Sequence, residues 1–158
     1  MIIKTLVENT SISKEYGSEH GLSLYIETQG QKVLFDVGAS GLFLENAKKL
    51  DVNIADVDFL VISHGHYDHG GGLGTFLQEN TKADVFIHRL AFEKHYALRP
   101  NEKLEFIGLE EGLKQDKSYL RQTDSLSVRE FNCSQTLFRE RRSQYQIVAY
   151  LWNRAGKQ

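Results

Sequence analysis

The sequence predicts an α/β fold, and three observations predict it. Short apolar runs rich in β-forming residues, such as Ile2–Val7 and Phe59–Ile62, alternate with stretches of helical spacing. One of these runs leads directly into a glycine-rich, ligand-dense loop, the place where open α/β sheets keep their chemistry. The length of 158 residues and the 41% hydrophobic content suit one compact domain.

In chain order, Ile2 to Val7 reads as a first strand, and Glu8 to Gly21 is polar enough to be a loop. Leu22, Leu24 and Ile26 alternate with Ser23, Tyr25 and Glu27, the period of a half-buried strand. Gln29-Gly30-Gln31 permits a tight reversal into Lys32–Asp36, completing a β-hairpin. Ser40 is placed to cap a helix running to about Leu50, with Phe43, Ala47 and Leu50 on its buried face. The Phe59–Ile62 strand follows, then a helix over Leu73–Asn80. A strand over Asp84–His88 and a helix over Ala91–Leu98, ended near Pro100, complete the legible part.

Ser63-His64-Gly65-His66-Tyr67-Asp68-His69-Gly70-Gly71-Gly72 places three imidazoles and a carboxylate within six residues. Imidazole and carboxylate oxygen are borderline ligands that suit zinc, iron, manganese or cobalt. His64 and His66, two apart on an extended backbone, point to one side and can hold one ion. Asp68 and His69 diverge on a strand, so they share a site only where the backbone turns, and the glycines allow that turn. A zincin helix, with its histidines one turn apart, does not fit this spacing.

His64-x-His66-x-Asp68-His69 resembles the H-x-H-x-D-H signature of the metallo-β-lactamase superfamily. The resemblance implies an αββα sandwich with metals at one edge of two packed sheets. It further implies that His64 and His66 bind a first divalent metal and Asp68 and His69 a second. Zinc is the expected ion, with manganese or iron as alternatives, and one or two ions per chain. Val33-Leu34-Phe35-Asp36-Val37-Gly38 resembles the family element in which an aspartate supports a ligand histidine, although a carboxylate here can equally stabilise its own turn. Glu19-His20-Gly21-Leu22-Ser23 and the His-Gly-His-Tyr-Asp-His spelling resemble the branch of dihydropterin and ribofuranosylaminobenzene 5'-phosphate synthase-like proteins, which makes His20 a candidate substrate contact rather than a ligand.

The resemblance is not extended beyond Gly112. Residues 1–112 are expected to form the N-terminal half of the sandwich, with 113–158 a divergent basic segment of the same domain or appended to it. The family's later histidine ligands have no counterpart, because no histidine follows His95 and Gln135 stands where Cys133-Ser134 would lead into one. His88 and His95 read as core-edge or surface residues.

The implied activity is hydrolysis of an ester, phosphodiester or amide-type small molecule by a metal-activated water that Asp68 orients. The alternative is a shortened, non-catalytic relative serving as a metal-binding or assembly module. Residues 1–113 carry 10 Lys and Arg against 17 Asp and Glu, whereas 114–158 carry 9 against 4. The basic charges are scattered, so a solvated face is preferred to nucleic-acid binding. Cys133 stands alone, which excludes an intrachain disulfide and a thiolate-rich zinc site. Ile147–Trp152, the longest apolar run, is too short for a membrane span, and the first residues lack the pattern of a signal peptide, so a cytoplasmic protein is expected. A homo-oligomer is expected too, since Leu22, Leu24, Ile26, Val33, Phe35, Leu60 and Ile62 supply an apolar sheet face that one added strand cannot cover.

Overall fold

A computed structural model describes residues 1–100, 102–110 and 112–113. Its elements are strands β1 (Ile2–Val7), β2 (Ser23–Thr28) and β3 (Gln31–Phe35), helix α1 (Leu42–Lys49), strand β4 (Phe59–Ile62), helices α2 (Tyr67–Gly70) and α3 (Leu73–Glu79), and strands β5 (Asp84–Ile87), β6 (Tyr96–Leu98) and β7 (Leu104–Phe106). Single 3-10 turns lie at Ile54–Asp56 and Arg89–Phe92. Five strands form one sheet in the order β1-β2-β3-β4-β5, antiparallel as far as β3 and parallel from β3 to β5. The fold is therefore α/β, with α1 and α3 serving the two parallel crossovers.

Register assigns the two faces. Tyr25, Leu34, Leu60 and Val85 lie in one cross-strand row, and with Ile62 and Ile87 they pack on Phe43 and Ala47 of α1 and Leu73 and Phe76 of α3. Leu24, Phe35, Val61 and Phe86 form a row on the opposite face, beside Ile26, Val33 and Phe59. Leu24 and Ile26 are half-buried on the far face, while Ser23 and Tyr25 of β2 are buried on the side of the helices. One expectation is corrected here. Leu60 and Ile62 face the helices, and Phe59 and Val61 take the places expected of them. A strand enclosed between layers has no polar side to reveal which apolar residue faces which layer.

A second correction concerns Ala91–Leu98, which is not a helix. Arg89–Phe92 makes one 3-10 turn, and Tyr96–Leu98 pairs antiparallel with Leu104–Phe106. Pro100 disfavours helical backbone at Arg99, and the turn closes through the Arg99 carbonyl accepting from Glu102 N–H at 2.9 Å and the Lys103 carbonyl accepting from Arg99 N–H at 2.9 Å. Gly41 rather than Ser40 holds the N-cap position of α1, although the Ser40 hydroxyl accepts from Leu42 N–H at 3.1 Å. The expectations for Cys133-Ser134-Gln135, Ile147–Trp152 and the basic segment lie outside the described residues. Among the described residues no helix is long and apolar enough to cross a membrane.

Candidate metal centre

The His-rich loop leaves the C-terminal end of β4, inside the sheet, and turns at once into the single-turn helix α2. The His66 carbonyl accepts from His69 N–H at 3.2 Å and Gly70 N–H at 3.0 Å. This turn brings Asp68 and His69 back towards His64. One ligand atom from each of His64, Asp68 and His69 lies within 4.8 Å of the other two. The His66 ring adjoins this group, 4.4 Å from the His64 ring, and the His69 ring is 4.2 Å from His64 on the other side.

Three segments lace the loop in place. Val37 N–H donates to the His69 carbonyl at 2.8 Å, Leu22 N–H to the Asp68 carbonyl at 3.3 Å, and Tyr67 N–H to the Ile107 carbonyl at 2.9 Å. Gly21, at φ 138°, passes so close to Asp68 that a Cβ there would fall within 3.0 Å of its carbonyl oxygen. Only glycine meets both conditions.

Asp36 lies beneath the cluster and bonds to it. Its carboxylate is fully buried and sits at a left-handed φ of 57°, unusual outside glycine and tolerated by aspartate. Oδ1 accepts from Ser63 N–H at 2.7 Å, and Oδ2 accepts from the Ser63 hydroxyl at 2.8 Å and from His69 Nδ1 at 2.7 Å. The Ser63 hydroxyl spends its one hydrogen on Asp36, so at its 2.9 Å contact with His64 Nδ1 it is the acceptor. Both histidines then carry the proton on Nδ1 and offer the lone pair of Nε2. The carboxylate that the sequence left between two readings thus bonds Ser63 and His69, neither of them in its own turn. Ser63 itself was missed, because a serine preceding a histidine carries no signal until Asp36 is beside it.

Burial pushes the His64 imidazole down to about 4, with the neighbouring His69 and His66 adding to the effect. His66 is lowered by burial as well, and His95 adds to the shift while Asp68 opposes it. Burial works against protonated His69 too, but its hydrogen bond to Asp36 and the charges of Asp36 and Asp68 together raise it. A neutral imidazole, a carboxylate and an imidazole steered by a buried carboxylate form the donor set that a borderline divalent cation takes, so the residues present fit such an ion.

His20 lies at the rim, its side chain 74% exposed, with Nε2 3.3 Å from Asp68 Oδ2 and Nδ1 2.9 Å from Asn9 Oδ1. Asp68 Oδ2 also lies 3.6 Å from His69 Nε2. Asn9 is a further residue that sequence reasoning passed over, and Glu19 was quoted only as part of a motif, with no role of its own. Glu19 accepts from Ala39 N–H at 3.0 Å and from the Ser40 hydroxyl at 2.7 Å, tying the His20 loop to the segment after Asp36. His88 is exposed, its Nδ1 accepting from Leu90 N–H at 3.2 Å. The His95 ring lies 5.4 Å from that of His66.

Known proteins resemble this arrangement over much of the described chain. An uncharacterized protein of Methanocaldococcus jannaschii is 34% identical over 115 residues, 72% of this chain and 43% of that one. The 7,8-dihydropterin-6-methyl-4-(beta-D-ribofuranosyl)-aminobenzene-5'-phosphate synthase of the same organism is 33% identical over 105 residues, 62% of this chain and 36% of its own. The solved structure of Tm1679, a metal-dependent hydrolase of the beta-lactamase superfamily, superimposes with a TM-score of 0.54 at 32% identity, covering 70% of this chain and 37% of that chain. The chain thus spans less than half the length of each of these relatives. The profile of the metallo-beta-lactamase superfamily matches residues 16–131, and the chain belongs to that superfamily.

Proposed function

We propose that the chain is a metal-dependent hydrolase that acts on an ester, phosphodiester or amide-type bond of a small molecule. Membership of the superfamily implies a divalent metal, and relatives named as metal-dependent hydrolases support the general class. The observation that carries the reading is the convergence of His64, Asp68 and His69 within 4.8 Å above the buried Asp36. In this reading His64, His66, Asp68 and His69 hold one or two ions. The imidazole and carboxylate donors favour zinc.

When bound, such an ion supplies Lewis acidity and lowers the pKa of a water molecule from about 15.7 towards about 7. The protein's own groups do the rest. Asp36 fixes the proton of His69 on Nδ1 and, through Ser63, that of His64, so that both Nε2 atoms stay available. Asp68 orients the attacking water with its carboxylate. His20, exposed and anchored by Asn9, contacts the substrate from the rim. Residues 1–112 act as the metallo-β-lactamase-like half, with 113–158 a divergent segment.

The test is metal analysis of the purified protein, followed by hydrolysis assays on esters, phosphodiesters and lactams with zinc, manganese or iron added. Turnover abolished by a chelator and restored by metal is the expected result. Bound metal with no turnover would assign the chain to the non-catalytic alternative, a metal-binding or assembly module.

A further inference from the structure

His95, like His88, is an imidazole that the sequence set aside, but its surroundings are not those of a bystander. Its Nε2 is sealed from solvent and has no hydrogen-bond partner among the described residues. Buried polar atoms in folded proteins are nearly always satisfied, and leaving one without a partner is costly. The other such atom, the hydroxyl oxygen of Ser23, lies on a core strand, whereas the His95 ring stands edge-on to His66 at 5.4 Å and 73°.

The position of His95 is built by two contacts with the His-rich loop. Gly65 packs so tightly on Ala91 that a Cβ would fall within 3.0 Å of the Ala91 backbone, bringing the Ala91–His95 segment against the loop. On the other side β7 returns to the loop. His66 bridges to Gly108, Tyr67 N–H donates to the Ile107 carbonyl at 2.9 Å, and Ile107 N–H donates to the His95 carbonyl at 2.9 Å. One hairpin thus clasps His66 and carries His95 beside it.

We propose that His95 is a further metal ligand, its Nε2 and His66 together holding a divalent cation of the zinc class. The proposal rests on the reading of this loop as a metal centre. Zinc binds imidazole nitrogen at about 2.0–2.1 Å, so two imidazoles at a tetrahedral angle on one ion have ring centres roughly 5 Å apart. The observed 5.4 Å matches that spacing. A cation also explains why the nitrogen lacks a protein partner: a ligand atom must keep its lone pair free.

The test compares the metal-free full chain with His95→Phe, which keeps an aromatic ring against His66 and removes the nitrogen. Zinc affinity is measured by calorimetry against a competing chelator, and cobalt(II) binding by its visible ligand-field bands. The expected result is an affinity lowered at least 10-fold and altered cobalt bands, with the melting temperature of the metal-free variant unchanged or raised. A merely structural His95 would instead lower that melting temperature and leave the cobalt spectrum alone. Wild-type affinity and identical cobalt bands in His95→Phe would overturn the proposal while leaving the metal centre standing. Failure of the unsubstituted chain to bind zinc or cobalt would overturn the metal-centre reading itself. Should His95→Phe not fold, nitrogen NMR of the unsubstituted chain decides: zinc moves the His95 Nε2 resonance to that of a ligated imidazole, or it does not and the proposal falls.

Discussion

Removing the Asp36 carboxylate separates a role in the metal centre from a role in folding. In Asp36→Ala the Ser63 N–H, the Ser63 hydroxyl and His69 Nδ1 lose their acceptor together, at a site closed to solvent. Hydrogen bonds to a charged group contribute about 1.5–3 kcal/mol each and do not add fully, so breaking this cluster costs about 3–5 kcal/mol. Alanine at φ 57° adds a further ~1–2 kcal/mol of backbone strain. That total threatens the fold and would mask any effect on the metal. Asp36→Asn is the sharper perturbation, because asparagine accepts the left-handed backbone and keeps one carbonyl oxygen for Ser63 N–H. Its amide N–H2 then faces His69 Nδ1, which must become the acceptor, and the proton moves to Nε2, the atom that would face the ion. The expected result is a loss of about 1–3 kcal/mol in metal-free stability by urea denaturation, and zinc affinity lowered roughly 10- to 100-fold by calorimetry. Zinc affinity equal to wild type, with stability reduced, would refute the orienting role and leave Asp36 as a structural carboxylate.

Three other outcomes are expected. Gly65→Ala drives a methyl group into the Ala91 backbone, so it should cost at least ~1–3 kcal/mol by urea denaturation, and a wild-type midpoint would refute the clasp between the two segments. Without metal, His64 and His66 have lowered pKa values in the folded chain, so the stability they contribute is complete above about 6.5 and is lost as pH falls towards about 4, while raised His69 acts in the opposite sense. The melting temperature in chelator should therefore fall between pH 6.5 and 4.5, and a His64→Gln variant that leaves the slope unchanged would refute this assignment. The half-buried Leu24, Ile26, Val33, Phe59 and Phe86 underlie the expected homo-oligomer, which light scattering should detect at micromolar concentration. A stable monomer that binds no exposed-surface dye would end that expectation.

Much of the site was legible because its signal is local. The ligand types, their spacing and the glycines after them are properties of ten consecutive residues, so it was legible that Gly70-Gly71-Gly72 allow the turn Asp68 and His69 need to share a site. Asp36 was legible as a strand-end carboxylate, but its partners were not. Ser63 and His69 lie 27 and 33 residues away in sequence, and only the parallel pairing of β3 with β4 sets them side by side. The Ala91–Leu98 error has a local cause, since Pro100 and the alternation of the large Tyr96 and Leu98 with the small Ala97 favoured an extended chain over the helical spacing.

The sequence by itself determined strands β1 to β5 with helices α1 and α3 between them, the His-rich loop and the family resemblance, because β-periodicity, glycine punctuation and ligand chemistry are encoded residue by residue. Tertiary structure alone decided which apolar residues of β4 face the helices, that Asp36 governs the proton positions of His64 and His69, and that His95 stands beside His66. Each of these depends on the register between strands or the return of a hairpin. Such pairings form between residues far apart in the chain and are chosen by the packing of the whole, so no local pattern records them.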